Sequence, residues 1–529
     1  MKHLLYALLS GIILALAWPT YGFPILLFFG FVPLLYAEFS IRNSTSGAQK
    51  WKIFGLSYIS FLIWNLITTY WLYFSTPFGG IFAITVNSLL MSLVFLLFHV
   101  VAKRVNFKAA ASFLISIWIA FEYLHLNWEF SWPWLNLGNG FSEFPHWIQW
   151  YEFTGTFGGT LWVLLVNLAL LKMLILFQQH KDRKILYRGI IKNALLILLP
   201  IGISYLILWS YEESEASIEA LVLQPNVNPY TEKYNVNDTR IGELLIELAQ
   251  DSLTPDTKII IAPETVFADG TPFRQFNRSQ AGYYSREFVN RHPEMAFLSG
   301  ISFYERFNDP KRVRKQSNQI GPSDWFDDYN SAFFITANDS ASFYHKSKLV
   351  VGVENFPYQS ILKPLLGNVM IDLGGTVAMK TTQKERGIFD IPGSEEVGPI
   401  ICYESVYGDF VTGYVNNGAN FLAIITNDAW WGNTQGHKQH LSYARLRAIE
   451  NRRAIARSAN TGISAFINEK GEITKTLAYE EQGALRGNVT LNDRVTFYTR
   501  HGDYIARISL FLSLFIFLFA MVPWKRSRR

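Results

Sequence analysis

Eight long runs with almost no charge constrain this chain more than any other feature: Leu4 to Trp18, Phe23 to Tyr36, Ile53 to Tyr73, Ile81 to Val101, Ala109 to Leu126, Gly158 to Leu171 with an extension to Phe177, Ile190 to Trp209, and Ile505 to Trp524. A helix needs about 20 apolar residues to cross about 30 Å of hydrocarbon, and the shorter runs are completed by Trp, Tyr or Phe at their edges. The first run has the outline of a signal peptide. No small-residue cleavage site follows it, however, and a second run begins almost at once, so it reads as an uncleaved first helix.

Loop charge sets the expected orientation. Lys2, then Arg42, Lys50 and Lys52, then Lys103, Arg104 and Lys108, then Lys181, Arg183, Lys184, Arg188 and Lys192, and finally Lys525, Arg526, Arg528 and Arg529 fall on one side of the spans. The loops around 19–22, 74–80 and 127–156 on the other side hold no Lys or Arg. Because cations resist translocation, both termini are expected in the cytoplasm and the segment between spans seven and eight is expected outside it. These clusters account for the formal charge of +5, so no nucleic-acid partner is called for. The expected division is 1–211 for spans one to seven, 218–492 for an exported water-soluble domain, and 503–529 for span eight with a basic tail.

Residues 218–492 change character at Glu212-Glu213-Ser214-Glu215. Short β-rich runs are expected at Ile218–Gln224, Lys258–Ala262, Ala296–Ser302, Ser331–Thr336, Ser342–His345, Gly398–Cys402, Phe421–Thr426, Ile455–Ala459, Ile463–Asn468 and Ala484–Val489. Helical patterns cover Ile241–Ser252, Ala281–Arg291, Val406–Asn416 and His437–Asn451. This alternation argues an α/β domain with helices over its sheets. Residues 306–328 read as a polar surface loop. The apolar, glycine-bearing stretch 349–385 reads either as a lid that dips into lipid or as a partly buried loop.

Three strand ends in this domain deliver ionisable groups: Glu264 after Lys258–Ala262, Lys346 after Ser342–His345, and Cys402, the only cysteine, at the end of Gly398–Cys402. A lone thiol forms no internal disulfide, which leaves a reactive group or a small buried hydrophobe. A thiol attacking an acyl carbon needs a base for its proton and a cation or donor for the oxyanion, so convergence of Glu, Lys and Cys would supply acyl transfer.

The order Glu264, Lys346, Cys402 in these surroundings resembles the carbon–nitrogen hydrolase (nitrilase) superfamily. Together with seven preceding spans and one following, the chain resembles over essentially its whole length the bacterial apolipoprotein N-acyltransferases. The resemblance rests on Ala262-Pro263-Glu264-Thr265, on Tyr344-His345-Lys346 followed by Glu354, and on Ile401-Cys402-Tyr403-Glu404. It rests also on Thr426-Asn427-Asp428-Ala429-Trp430-Trp431-Gly432, Gln439-His440, Ala444-Arg445 and Phe130-Ser131-Trp132-Pro133-Trp134-Leu135-Asn136-Leu137-Gly138. One departure stands out: Val350-Val351-Gly352-Val353-Glu354 lacks the proline of the family's Val-Pro-Phe-Gly-Glu run, although Glu354 keeps its spacing of eight from Lys346.

The resemblance implies a polytopic helical membrane domain of eight transmembrane helices joined to a nitrilase-like αββα sandwich. It implies Cys402 as nucleophile, Glu264 as general base and Lys346 as oxyanion stabiliser, with Glu354, Tyr403 and Glu404 in support. It also implies no cofactor, a phospholipid donor such as phosphatidylethanolamine, a diacylglyceryl lipoprotein acceptor, and residence in the bacterial inner membrane with a periplasmic catalytic domain. A neighbouring ammonium is expected to lower the thiol's pKa.

Other readings stay open. Glu354 could serve only as a partner for Lys346, and Glu404 could form an ordinary ion pair. Asn330 reads either as a hydrogen-bonding neighbour of the site or as a turn residue, and Trp430 and Trp431 as acyl-site wall or core. Glu122, costly in lipid, is expected to meet headgroups or a helix partner. His437 and His440 lie three apart on a helical pattern, but no third ligand is spaced to complete a metal site, so none is expected. The competing functions are a membrane-tethered amidase or nitrilase in which water resolves the thioester, and a non-enzymatic transporter-like or scaffolding protein.

Overall fold

The computed structural model describes residues 1–45, 47–228, 236–361, 379–393 and 395–522. The chain divides into two compact units, one of Met1–Tyr73, Gly80–Ser210 and Asp503–Arg529, the other of Phe74–Gly79 and Tyr211–Gly502.

Among the described residues of the helical unit, seven segments are long and apolar enough to cross a membrane: Pro24–Arg42, Gln49–Thr69, Pro77–Ala102, Phe107–Asn127, Thr156–His180, Arg183–Ser210 and Tyr504–Met521. The first apolar run forms a shorter helix, Lys2–Leu16. At 1.5 Å per residue it spans only about 22 Å. It stops where Trp18 precedes Pro19, a residue that disfavours helical geometry before it. Gly11 lets this helix approach Gln49–Thr69 closely, since a Cβ there would lie 2.4 Å from the Ser60 carbonyl oxygen. Within Arg183–Ser210, Pro200 cannot donate to the carbonyl of Leu196, and Trp162 Nε1 donates to that oxygen instead at 2.7 Å.

Glu122 finds its expected helix partner in Thr160 of Thr156–His180, and it also fastens the buried segment that follows its own helix. It accepts from Leu137 N at 2.8 Å, Trp118 Nε1 at 3.1 Å and Thr160 Oγ1 at 2.6 Å. Tyr151 OH donates to the Gly138 carbonyl at 2.9 Å. The Phe130 to Gly138 motif is thus folded into the protein through its backbone.

The second unit holds two sheets. The first has eight strands: β1 (Ser217–Gln224), β2 (Thr257–Ile261), β3 (Phe267–Pro272), β4 (Ala296–Phe307), β5 (Asn318–Gln319), β6 (Trp325–Ile335), β7 (Ser342–His345) and, from the end of the domain, β14 (Gly483–Thr490). Their order is β14-β1-β2-β4-β6-β5, with β3 on β4 and β7 on β6. The second comprises β8 (Phe389–Ile391), β9 (Glu395–Ile401), β10 (Phe421–Thr426), β11 (Ile455–Ala459), β12 (Ser464–Ile467) and β13 (Ile473–Leu477) in the order β13-β12-β11-β10-β9-β8. Both sheets have a parallel centre, β1-β2-β4 and β9-β10-β11. Strands covered on both faces read as unbroken apolar runs, and Ile259, Ile260 and Ile261 are fully buried accordingly.

Helices Asp238–Gln250 and Gln280–Arg291 cover the first sheet, where Ile241, Leu245 and Phe288 join one core with Leu221, Ile260 and Phe333. Helix Gly408–Asn416 packs on β9, and Gln435–Asn451 packs on the turns after β9 and β10. The sheets meet through contacts such as Ser458 Oγ donating to the Leu223 carbonyl at 2.8 Å and Phe334 stacked on Phe389 at 5.0 Å. This is the layered α/β arrangement expected from the alternation of strand and helix patterns.

Residues 306–328 are not simply a surface loop. β4 continues to Phe307 and β6 begins at Trp325, so the two strands pair antiparallel from Phe297↔Ile335 to Phe307↔Trp325. Charged residues hid this ladder, and they pair along it: Glu305 accepts from Arg274 Nε at 3.0 Å and from Arg312 Nη2 at 2.6 Å. Of the stretch 349–385, residues 362–378 lie outside the described residues. Its described far end docks on the first sheet, with Met379 N donating to Asn318 Oδ1 at 2.8 Å and Thr381 N to the Asp328 carbonyl at 2.6 Å.

Gly300, in β4, lies against the turn that carries Glu264; an added Cβ would stand 2.3 Å from Thr265 N and 2.6 Å from Glu264 Cα. Gly300→Ala is therefore expected to cost about 1–3 kcal/mol through overpacking. The check is a lowered melting temperature of the purified protein, with a loss of activity as Glu264 is displaced.

Candidate active site

Carboxyl ends of strands from both sheets converge on one cluster, the usual location for ligands in parallel α/β sheets. Glu264 follows β2, and its turn is closed by Ala262 N donating to the Leu298 carbonyl at 2.8 Å and Gly300 N to the Pro263 carbonyl at 3.1 Å. Lys346 follows β7, its N–H bonded to the Asn330 carbonyl at 2.8 Å. Cys402 follows β9 directly and begins the short turn Cys402–Val406.

Lys346 Nζ donates to Glu264 Oε1 and to Glu354 Oε1, both at 2.9 Å. Asn330 Nδ2 repeats the bridge, 2.7 Å to Glu264 Oε1 and 2.9 Å to Glu354 Oε1. The second oxygen of Glu264 accepts from Asn427 N at 3.2 Å, and that of Glu354 from Val350 N at 2.8 Å. Asn330 is therefore a strand residue inside the cluster rather than a turn asparagine. Glu354, which anchors its own loop, has a structural part whatever its chemical one. Glu264, Lys346, Asn330 and Cys402 are all buried.

Burial opposes the charge on Lys346, yet Glu264 and Glu354 hold its pKa well above that of an ordinary amine. For Cys402 the balance runs the other way from the sequence expectation. Burial, then the charge of Glu264, push the thiol well above its usual range, and Lys346 offsets this only in part. Burial and the Glu264 charge thus oppose the thiolate form of Cys402, while the Lys346 ammonium favours it.

Glu404 is held by neutral donors rather than in an ordinary ion pair. Its Oε1 accepts from Ser347 N at 2.6 Å, Tyr344 OH at 2.7 Å and Lys348 N at 3.4 Å, and its Oε2 from Ile401 N at 2.8 Å and Tyr414 OH at 3.2 Å. This buried carboxylate ties the loop after Lys346 to the turn that bears Cys402. Burial nonetheless raises its pKa. Tyr403 is buried with its ring edge-on to Tyr407 at 5.2 Å, and Trp430 is half-buried in the turn Asp428–Trp431. Trp431 packs edge-on against His440 at 5.6 Å.

A third potential ligand does approach His440, though not through His437. Donor atoms of Cys402, Asp428 and His440 lie within 4.8 Å of one another. Arg457 Nη2, however, stands 2.5 Å from Asp428 Oδ2 and 3.2 Å from His440 Nδ1. A guanidinium against two of the three donors opposes a dication, so the donor set does not fit a metal.

The Asn427 amide and the Asp428–His440–Arg457 group had no role assigned from sequence. Their signal was present in the run Thr426 to Gly432. What was missing is that β10 pairs parallel with β9, Ile425 opposite Ile401, which sets Asn427 beside the turn that bears Cys402.

Because the Glu264 charge is one cause of the raised thiol pKa, Glu264→Gln should shift thiolate formation to lower pH. Iodoacetamide should then label Cys402 faster at pH 8 than in the parent protein while acyl transfer is lost. The pH profile of alkylation checks this.

The model for the apolipoprotein N-acyltransferase N-terminal domain matches residues 10–169, and that for carbon–nitrogen hydrolase matches residues 310–497. The chain is similar to the apolipoprotein N-acyltransferase of Chlorobaculum tepidum, 26% identical over 98% of this chain and 97% of that one. It is also similar to those of Geobacter metallireducens, 26% identical over 96% and 92%, and Thermotoga maritima, 26% over 97% and 92%. With one model in each half and relatives aligned almost end to end, the chain belongs to the apolipoprotein N-acyltransferase family, whose catalytic half is a carbon–nitrogen hydrolase domain.

Proposed function

We propose that this protein moves an acyl chain from a membrane phospholipid, through a thioester on Cys402, to the α-amino group of a lipoprotein's diacylglyceryl-cysteine. The observation that carries the reading is Lys346 held between Glu264 and Glu354 within electrostatic reach of the sole thiol. Glu264 takes the thiol proton as sulfur attacks the sn-1 ester carbonyl. The oxyanion that forms is stabilised by the Lys346 ammonium. Collapse breaks the ester C–O bond, the proton passes from Glu264 to the glycerol oxygen, and a lysophospholipid departs. The lipoprotein amine then attacks the thioester and gives up a proton to Glu264. The C–S bond breaks and returns the thiol, leaving an amide.

Phosphatidylethanolamine is the proposed donor, on the strength of the family resemblance. Residues 1–211 and 503–529 anchor the catalytic domain, 218–492, to the membrane in which both lipid substrates reside. The short helix Lys2–Leu16 is assigned as an eighth span, placing both termini in the cytoplasm and the catalytic domain in the periplasm of the inner membrane, as the loop charges favour. Hydrolysis of a small carbon–nitrogen compound has less support, because the match over residues 10–169 is to an acyltransferase domain.

Phospholipid radiolabelled in its sn-1 chain should transfer label to an N-terminal diacylglyceryl lipopeptide, and intact-mass analysis should find one acyl group on Cys402 when the lipopeptide is withheld. Cys402→Ala should abolish both signals. Lys346→Met should lower the rate by about 100-fold or more, the usual cost of losing one oxyanion donor. Free labelled fatty acid without lipopeptide product would instead identify a hydrolase.

A further inference from the structure

Cys402 has φ +52°, in the left-handed region that costs a side-chain-bearing residue about 1–2 kcal/mol. Such a conformation persists only where its surroundings enforce it. The Cys402 carbonyl is where the enforcement acts. Ser405 Oγ donates to it at 2.8 Å, and His440 Nε2 stands 3.2 Å from the same oxygen and 2.9 Å from Ser405 Oγ. On the other edge of the ring, His440 Nδ1 lies 2.9 Å from Asp428 Oδ1. Asp428 is fixed in turn by Thr426 Oγ1 at 2.8 Å and Arg457 Nη2 at 2.5 Å. Burial works against the Asp428 charge, yet Arg457 and His440 hold its carboxyl well below the usual range, so it is a firm acceptor. Every member of the group is buried.

We infer that His440, oriented by Asp428, is a positioning residue that clamps the Cys402 carbonyl and so aims the thiol at the acyl carbon. The inference rests on Cys402 being the acyl-accepting thiol. The imidazole does not take the thiol proton, because its nitrogens are engaged with the carbonyl, Ser405 and Asp428; that task is left to Glu264. What His440 contributes is direction, and a misplacement of about 1 Å at a nucleophile costs roughly 100-fold.

The test compares His440→Ala and His440→Gln, whose amide nitrogen can reach the Nε2 position, in two assays on the purified full-length protein: single-turnover thioester formation with phospholipid, and alkylation of Cys402 by iodoacetamide. His440→Ala should slow thioester formation about 100-fold. The KM for phospholipid should stay unchanged, and alkylation should speed up as the turn loosens. His440→Gln should recover most of both. Should the alanine variant fail to fold, Asp428→Asn, which keeps the side-chain shape and removes its charge, carries the same comparison. Thioester formation equal to the parent in His440→Ala, or a loss that His440→Gln does not relieve, would overturn the proposal. Absence of any thioester in the parent would overturn the acyl-transfer reading instead, while the alkylation rates would still report whether His440 holds the turn.

Discussion

One buried ammonium between two carboxylates organises the catalytic unit. An unpaired charge cannot be kept away from water, so Lys346 must be met by acceptors wherever the fold closes over it. Glu264 and Glu354 meet it at equal distances, and Asn330 ties the two acids together with a neutral donor. Burial and the charge of Glu264 together raise the pKa of the neighbouring thiol. An ordinary active-site cysteine made reactive by an adjacent cation would stand ready as thiolate. Here burial and the Glu264 charge act against that form.

Two further carboxylates hold the geometry around that cluster without sharing its chemistry. Glu404 accepts from backbone amides on both sides, joining Ser347 in the loop after β7 of the first sheet to Ile401 at the end of β9 in the second. Asp428 acts one layer deeper through His440. Both are buried acids that the sequence presents next to functional residues, and both serve chiefly as acceptors for groups that must not move. A left-handed cysteine between them stores strain that these hydrogen bonds offset.

Much of this architecture was legible. Apolar runs such as Lys258–Ala262 and Phe421–Thr426 read as strands, and four helical patterns fell close to the observed helix ends. The β4–β6 extension was not legible, since Glu305, Asp327 and Asp328 break the apolar pattern, while in the fold Glu305 and Asp328 are ion-paired and Asp327 accepts from Ser317 and Tyr329 hydroxyls. The order Glu264, Lys346, Cys402 and the spacing to Glu354 were visible along the chain. The role of Asn330 was not, because its value comes from lying between two acids more than twenty residues away on either side.

The sequence by itself determined which segments belong in hydrocarbon, that a separate α/β domain interrupts them, and which side chains could carry acyl transfer. Those conclusions depend on composition and short-range periodicity, which are local properties. Tertiary structure decided the sign of the thiol's pKa shift, the conversion of Glu404 from a candidate ion pair into a backbone staple, and the meeting of Asp428, His440 and Arg457 behind Cys402. Each of these depends on distances between strands of different sheets or between a strand and a helix, and electrostatic and hydrogen-bond energies change steeply over the few ångströms that only packing sets.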